Sequence, residues 1–360
     1  MSHESANATL ALAEEIHQQT THMGSTRIME VCGTHTVSLF RSGVKSMLPE
    51  NVRLISGPGC PVCVTAQGYI DAASELCSKK GVTIATYGDM VRVPGRGGSL
   101  AEARARGGNV KVVYSARDAV EHASTHPEET VVFLAVGFET TAPATALAVL
   151  EAEARGLENF LILPGHKLVI PAMEALLAGE EVPLDGFLCP GHVSVIIGSE
   201  AYRPIVADHH RSCVVTGFEP KNMLQGLLRL LQILSGSEPE LDNVYSVAVR
   251  PKGNTQALSI IERVFKLDDA TWRAMGVIPK SGLALRETYA RFDALKRFDG
   301  LDVNDDYDPP GCRCGEVIQG KVEPADCALF GASCTPMKPV GPCMVSSEGT
   351  CAAWYKYGRR

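Results

Sequence analysis

The chain has 360 residues, of which 45% are hydrophobic and 21% charged, and its formal net charge is −7. This length allows two or three domains of roughly 100–200 residues each, and the composition excludes a mainly disordered protein. The acidic excess disfavours nucleic-acid binding, which usually needs a basic surface. No apolar run approaches the roughly 18 residues of a membrane span, and the first residues lack the basic segment of a secretory signal. We therefore expect a cytoplasmic protein with no membrane or nucleic-acid partner.

Apolar strands alternate with helices over most of the chain. A helix is predicted at 8–20, and strands are predicted at 27–31, 52–56, 81–86, 111–114, 130–136, 160–163, 187–189 and 212–216. Alternation of this kind predicts parallel sheets whose functional loops follow the carboxyl ends of the strands. Because the pattern restarts near residue 130, we expect an α/β fold with two Rossmann-like domains, residues 1–128 and 129–250.

The alternation fades in the last third of the chain. Helices are predicted at 256–265 and 283–298, followed by an acidic linker at 299–311. From residue 312 onward the sequence is rich in Cys, Gly and Pro and has too few apolar residues to build a core of its own. We therefore expect residues 251–360 to form a third domain whose tail is held together by something other than apolar packing.

Half of the chain's 12 cysteines lie in this tail. Four of them are widely and irregularly spaced, at Cys327, Cys334, Cys343 and Cys351. Four thiolates are the usual ligand set of a cubane iron–sulfur cluster, and the spacing matches neither a ferredoxin run nor the paired knuckles of a zinc ribbon. The sequence favours a [4Fe–4S] cluster over structural zinc or free thiols.

A second group of cysteines in the tail is the C-x-C pair Cys312 and Cys314. Either residue could supply a further ligand, and the two together could form a redox pair. That both are bystanders in a flexible linker is an equally good interpretation.

The N-terminal cysteines follow predicted strands. Cys60 and Cys63 form a C-x-x-C motif at a strand-to-helix turn, where a helix N-terminus lowers the pKa of a thiol. The pair could be a redox dithiol or half of a metal site. Cys32 and His35 occupy the equivalent turn after another strand, and a thiolate with an imidazole can bind a late first-row metal. The alternative for His35 is a purely structural role at the start of a helix.

Other polar residues also follow strands. His166 and His192 lie in two Pro-Gly-His turns, and Glu139 and Thr140 lie in a Gly-Phe-Glu turn. These residues could face one cleft or merely shape their turns. No phosphate-binding loop or dinucleotide fingerprint is present. Three further cysteines in apolar surroundings are predicted to be core residues, namely Cys77, Cys189 and Cys213.

Four motifs together resemble one known family. They are CGTHT at 32–36, GPGCPVC at 57–63, GFETTAP at 137–143 and CMVSSEGTC at 343–351. In this order they closely resemble the HypD family of [NiFe]-hydrogenase maturation proteins, and the resemblance extends from about residue 25 to 357.

The resemblance implies a scaffold with redox activity on which the Fe(CN)2CO unit of a hydrogenase is assembled. It implies two α/β domains plus an iron–sulfur domain, a complex with the small chaperone HypC, and cyanide delivery from HypE. On this chain, Cys32 would hold the iron jointly with a HypC cysteine, with His35 beside it. Cys60 and Cys63 would be the redox pair. The [4Fe–4S] ligands would be Cys327, Cys334, Cys343 and Cys351.

Two other functions remain open from the residues. One is a thiol–disulfide oxidoreductase in which an iron–sulfur cluster drives Cys60 and Cys63 to act on a protein disulfide. The other is an α/β metal-binding module with a purely structural cluster. Whether the chain is itself an enzyme is left undecided.

Overall fold

The computed structural model describes residues 3–179 and 182–358. The strands are β1 Thr26–Glu30, β2 Val52–Ser56, β3 Val82–Thr86, β4 Asn109–Val112, β5 Thr130–Gly137, β6 Phe160–His166, β7 Gly186–Pro190, β8 Ser212–Thr216, β9 Leu241–Asn243, β10 Phe265–Trp272 and β11 Gly276–Leu285. The α-helices are α1 His3–Thr20, α2 Gly33–Arg41, α3 Pro61–Val64, α4 Gln67–Ser78, α5 Leu100–Ala105, α6 Ala116–Thr125, α7 Ala142–Ala154, α8 Val169–Ala178, α9 Gly191–Ile197, α10 Arg203–Ala207, α11 Pro220–Leu234, α12 Thr255–Val264, α13 Ala294–Arg297, α14 Cys314–Ile318, α15 Pro342–Val345 and α16 Thr350–Tyr357. Short 3₁₀ helices cover Val44–Met47, Gly88–Arg92, Ser199–Tyr202, Glu287–Phe292 and Pro324–Asp326.

Two parallel sheets form the body of the fold. The first has the strand order β2-β1-β7-β8-β9 and the second β4-β3-β5-β6, and every pair within them is parallel. The predicted α/β class with parallel sheets is confirmed. Each strand predicted from the sequence is present, whereas the three-residue β9 was not predicted.

The strands do not divide between the sheets at the predicted boundaries. The first sheet combines strands from 26–56 with strands from 186–243, and the second uses residues 82–166, which lie between them in the chain. The predicted division at residue 128 is therefore not the division between the sheets. Alternating strands and helices reveal that strands exist, but strand pairing depends on contacts between segments far apart in sequence. Here the chain leaves the first sheet after β2 and returns to it at β7.

The segment after β9 also differs from the expectation. Helix α12 confirms the predicted helix at 256–265, but an antiparallel hairpin of β10 and β11 and a 3₁₀ helix occupy most of the region that includes the predicted helix at 283–298. Leu283 and Leu285 are buried while Ala284 between them is less so, which is the period of a strand. Both leucines pack in a core cluster with Phe133 of β5. The hairpin is therefore attached to the second sheet, not to a separate C-terminal domain.

One buried core joins the two sheets and the tail. Phe187 of β7, Leu134 of β5, and Cys314 and Cys343 of the tail belong to the same cluster. The tail is thus packed onto both α/β units. Among the helices that the structure describes, none combines the length and apolar character needed to cross a bilayer.

Candidate metal centre and redox thiols

A cleft lies where the carboxyl ends of the strands from both sheets meet. It encloses about 510 Å³ and is lined by Cys32 after β1, Pro61 after β2, Asp89 after β3, Thr140 after β5 and His192 after β7. The tail closes part of its wall with residues 346–348. This is the position at which open α/β sheets bind ligands, and the structure brings Cys32, Thr140 and His192 together there.

Cys32 is the N-cap residue of α2, in an extended conformation, and only 8% of its surface is exposed. Burial, together with the nearby carboxylates of Glu348 and Glu30, raises the pKa of its thiol to about 12, against the effect of backbone hydrogen bonds. The thiol is consequently protonated at neutral pH. A metal that binds here has to displace this proton, because the thiolate is the ligand form.

Glu30, a residue for which the sequence predicted no role, lies beneath Cys32. It is the last residue of β1 and is 1% exposed. The backbone N–H of Cys32 donates a hydrogen bond to Glu30 Oε2 at 3.1 Å, and the Thr36 hydroxyl donates to Oε1. Burial raises the pKa of Glu30 to about 8, against the effect of its hydrogen bonds. The sequence did contain a signal for a functional role of Glu30, because it is a glutamate in an apolar strand two residues before a cysteine.

His35 lies in the first turn of α2 and is 1% exposed. Its Nε2 lies 3.0 Å from the carbonyl oxygen of Gly217, which can only accept, so Nε2 carries the proton. Its Nδ1 is buried without a partner, and burial lowers the pKa of the ring to about 4. Phe218 stacks between this ring at 4.7 Å and that of His192 at 3.8 Å. Phe218 therefore links the buried ring of His35 to that of His192, which lines the cleft.

The C-x-x-C motif lies where it was predicted, at a strand-to-helix turn. Cys60 is the N-cap of α3, and its Sγ accepts a hydrogen bond from the N–H of Cys63 at 3.3 Å. Burial raises the pKa of Cys63 well above its usual value, and hydrogen bonds to the thiols of Cys343 and Cys60 raise it further. At Cys63, which is 1% exposed, burial therefore outweighs any lowering of the pKa by the helix N-terminus.

The loop before this motif touches the Cys32 loop. The N–H of Gly33 donates to the carbonyl of Gly59 at 2.9 Å. A Cβ added at Gly59 would lie 2.3 Å from the backbone nitrogen of Cys32. Only glycine allows the two backbones to approach this closely, so the contact fixes the position of Cys32 relative to the C-x-x-C motif.

The six tail cysteines line one pocket, whose cysteines are Cys312, Cys314, Cys327, Cys334, Cys343 and Cys351. Backbone N–H groups donate to two of the sulfurs, from Val340 to Cys334 and from Cys351 to Cys343, each at 3.3 Å. None of the chain's 12 cysteines is in a disulfide. The structure therefore brings the four predicted ligands together, and it adds the Cys312–Cys314 pair to the same pocket.

The cysteine side chains of the pocket suit an iron–sulfur cluster, but its free volume is small. The side chains in its lining that commonly bind metals are all cysteine thiols, and thiolates are the usual ligands of iron–sulfur clusters. Its free space is only about 10 Å³, and within residues 3–179 and 182–358 no three His, Cys, Asp or Glu side chains are close enough to bind one metal ion. A cluster that binds here has to move the surrounding loops outward.

Cys343 differs from the other predicted ligands. It interacts with Cys314 and Cys351 of the tail and also with Cys63. It therefore lies between the tail pocket and the C-x-x-C motif. Cys312, by contrast, faces the tail pocket and interacts with Cys314.

The tail segment 346–348 connects the two sheets across the cleft. Asp89 Oδ2 accepts hydrogen bonds from the Ser346 hydroxyl at 2.9 Å and from the Ser347 N–H at 3.2 Å. Glu348 Oε1 accepts from the Thr34 hydroxyl at 2.6 Å. Because Asp89 follows β3 and Thr34 lies in α2, this tail latch binds both α/β units. Sequence reasoning assigned no role to Asp89 or Glu348, although Glu348 lies within a motif that was singled out.

His166 and Glu139 are not part of the cleft wall. His166 is 2% exposed, with Nε2 2.9 Å from the Thr145 hydroxyl. Glu139 accepts from the N–H of Val169 at 2.9 Å, and burial raises its pKa to about 7. Both residues shape the interior behind the strand ends. The cysteines predicted to be core residues are buried, namely Cys77, Cys189 and Cys213.

Comparison with known proteins agrees with this arrangement of motifs. The model of the HypD family, described as the Hydrogenase formation hypA family, matches residues 7–358. The chain is 45% identical over 356 residues to the hydrogenase maturation factor HypD of Escherichia coli (strain K12), covering 97% of this chain and 95% of that protein. It is 46% identical over 341 residues to HypD of Azotobacter vinelandii, covering 93% and 90%. A putative hydrogenase expression/formation protein of Methanocaldococcus jannaschii is 42% identical over 346 residues, covering 96% of each chain. The chain therefore belongs to the HypD family of hydrogenase maturation factors.

Proposed function

We propose that this maturation factor is the scaffold on which the Fe(CN)2CO unit of a [NiFe]-hydrogenase is assembled. Cys32 binds the iron together with a cysteine from a HypC-type chaperone, and a HypE-type protein supplies the cyanide groups. The observation that carries the proposal is the position of Cys32, which is the only cysteine in the described wall of the cleft where the strand ends of both sheets converge.

A single protein thiolate suits this cargo. Cyanide and carbon monoxide need low-spin Fe(II), for which a soft thiolate is a good anchor. Because the cleft supplies one thiolate, the remaining positions on the iron stay available for the diatomic ligands and a ligand from the partner. His35, in the same turn, has a neutral ring whose Nδ1 has no hydrogen-bond partner. Glu30 holds the backbone of Cys32 in position by accepting a hydrogen bond from the Cys32 N–H.

The thiols of the tail support a redox role. We propose a [4Fe–4S] cluster bound by Cys327, Cys334 and Cys351, with either Cys343 or Cys312 as the fourth ligand. Such a cluster supplies electrons one at a time. The contact of Cys63 with Cys343, together with the Gly33–Gly59 hydrogen bond, supports a role of the C-x-x-C pair between the tail pocket and the Cys32 loop. The chain's own part is to hold these thiols in contact and shield them from water.

The alternative function, a cluster-driven oxidoreductase acting on a protein disulfide, has less support. Cys60 is 5% exposed and Cys63 is 1% exposed. A disulfide of another protein cannot reach either sulfur unless the surrounding structure opens. The same pair is well placed to exchange electrons within the chain.

The experiment is infrared spectroscopy of the protein co-purified with its HypC-type partner. We expect CN and CO stretching bands in the wild-type complex and their loss in Cys32→Ser. Cys77→Ser is the matched control, because Cys77 is also buried but lies away from the cleft, and its complex should keep the bands. Bands of wild-type strength in Cys32→Ser, with partner binding intact, would show that the iron is held elsewhere.

A further inference from the structure

A fully buried arginine links the C-x-x-C motif to the tail. Arg273 lies in the turn between β10 and β11 and is 0% exposed. Its Nε donates to the carbonyl of Thr65 at 3.1 Å and its Nη1 to the carbonyl of Tyr307 at 3.2 Å. Its backbone N–H donates to the carbonyl of Val64 at 2.9 Å. Arg273 is thus bonded both to the residues that directly follow Cys63 and to the linker that leads into the tail.

The charge of this guanidinium is only partly balanced. In the described part of the chain its one carboxylate partner is Asp308, with Nη1 3.5 Å from Oδ1. Asp308 is itself 34% exposed, so water screens part of its charge. The other acceptors are neutral, namely two backbone carbonyls and the amide oxygen of Gln67 at 3.4 Å. A buried cation with such partners leaves positive potential in its surroundings.

The turn that carries Arg273 is packed against the start of the tail. Gly315 directly follows Cys314, and a Cβ added at Gly315 would lie 2.2 Å from Cβ of Ala274 and 2.9 Å from Asp308 Oδ2. Arg273 directly precedes Ala274 and pairs with Asp308. The guanidinium is therefore close to the thiol pocket, which Cys314 lines.

We propose that Arg273 is a positioning residue that raises the reduction potential of the cluster bound by the tail thiols, with Asp308 moderating its charge. The proposal rests on the cluster of the proposed function. Reduction adds one electron to the cluster, and no bond forms or breaks. A fixed positive charge in a low-dielectric interior stabilises the added negative charge, and charge and hydrogen bonding near a cluster are known to set its potential. The same hydrogen bonds hold Thr65 and Tyr307 at a constant separation.

The test measures the midpoint potential of the reconstituted full-length protein by EPR during titration with dithionite at pH 8. Arg273→Gln should lower the potential, since the positive charge is lost. Asp308→Asn should raise it, since the opposing negative charge is lost. Arg273→Lys should remain closer to the wild type than Arg273→Gln. The matched control is Arg286→Gln, which removes an exposed arginine just after the same hairpin and should leave the potential unchanged.

Opposite shifts from Arg273→Gln and Asp308→Asn are the signature that a merely structural role would not produce. Unchanged potentials, or shifts of the same sign, overturn the proposal while leaving the cluster itself in place. If Arg273→Gln does not fold, the Asp308→Asn shift decides, and an unchanged or lower potential overturns the proposal. A wild-type protein that binds no cluster after reconstitution contradicts the proposed cluster and this inference together.

Discussion

Cys343 packs against Cys63, so residues from the two ends of the chain meet inside the protein. Cys63 follows a strand of the first sheet, while Cys343 belongs to the short helix α15 of the tail. Both are 1% exposed. The contact makes the tail part of the same interior as the cleft loops. The tail and the C-x-x-C motif are therefore in direct contact.

A first prediction concerns the ligands of the proposed cluster. Cys351→Ser should lower the iron content of the reconstituted protein well below about four atoms per chain, the complement of a cubane cluster. The tail should also unfold more easily, because closing a thiolate site can contribute on the order of 10 kcal/mol to folding. Iron analysis and thermal unfolding with and without chelator provide the measurements.

The iron content of two further variants distinguishes Cys343 from Cys312 as the fourth ligand. Both face the tail pocket, but only Cys343 also contacts Cys63. If Cys343 is the fourth ligand, Cys343→Ser loses iron and Cys312→Ser keeps it, and the reverse result assigns the ligand role to Cys312. Full iron content in Cys351→Ser as well as in both of these variants would contradict a cluster in this pocket.

A second prediction concerns the approach of Gly59 to Cys32. Gly59→Ala would place a methyl group 2.3 Å from the backbone nitrogen of Cys32, so one of the two loops must move. We expect a loss of stability of about 1–3 kcal/mol, the usual cost of overpacking, together with loss of iron binding at Cys32. Gly97→Ala is the control, because nothing lies within 4 Å of its added Cβ. Equal melting temperatures for the two variants would show that the close contact between Gly59 and Cys32 does not require glycine.

Much of the site was predictable from the sequence because its cysteines directly follow strands. The apolar runs before Cys32 and Cys60 identified two strand ends, and parallel sheets place such ends at one edge. The existence of the tail pocket followed from the crowding of cysteines in a segment that lacks apolar residues.

The partners of those residues were not predictable in the same way. Glu30 could have been singled out, because it is a charged residue flanked by apolar residues at the end of a strand. The hydrogen bonds of Asp89 and Glu348, by contrast, join segments that are far apart in the chain. Local periodicity carries no information on such pairs. For the same reason the strand pairing, and with it the division of the chain between the two sheets, had to come from the structure.

A third prediction concerns pH and Glu139. Burial raises its pKa from 4.5 to about 7, so the folded state holds this proton more tightly than the unfolded state does. The associated stability is fully present below pH 4.5 and is lost as the pH rises to about 7. The loss amounts to about 3 kcal/mol at 1.36 kcal/mol per unit. Glu139→Gln should remove this fall, as measured by urea unfolding between pH 4 and 8.

The matched comparison is His166, whose pKa is lowered by burial from 6.5 to about 4. Its folded state binds the proton less tightly, so its contribution to stability increases as the pH rises from about 4 to 6.5. Replacing His166 by Gln should remove that increase. The two variants should therefore change the pH profile in opposite directions, and a common direction would contradict the burial of one of them.

The last prediction concerns the tail latch. Asp89→Asn leaves its side chain in place but removes the charge that accepts three hydrogen bonds from residues 346–347. Charge-assisted hydrogen bonds are stronger than neutral ones, so the latch should open more often. Cys343 and Cys63 are both 1% exposed, so their alkylation depends on local opening, and Cys343 lies three residues before the latch segment. We expect both thiols to be alkylated several-fold faster in Asp89→Asn, as followed by mass spectrometry on the reduced, metal-free protein. Asp118→Asn is a matched control, since Asp118 caps α6 away from the cleft. Equal alkylation rates in the two variants would mean that Ser346 and Ser347 do not control access to the thiols.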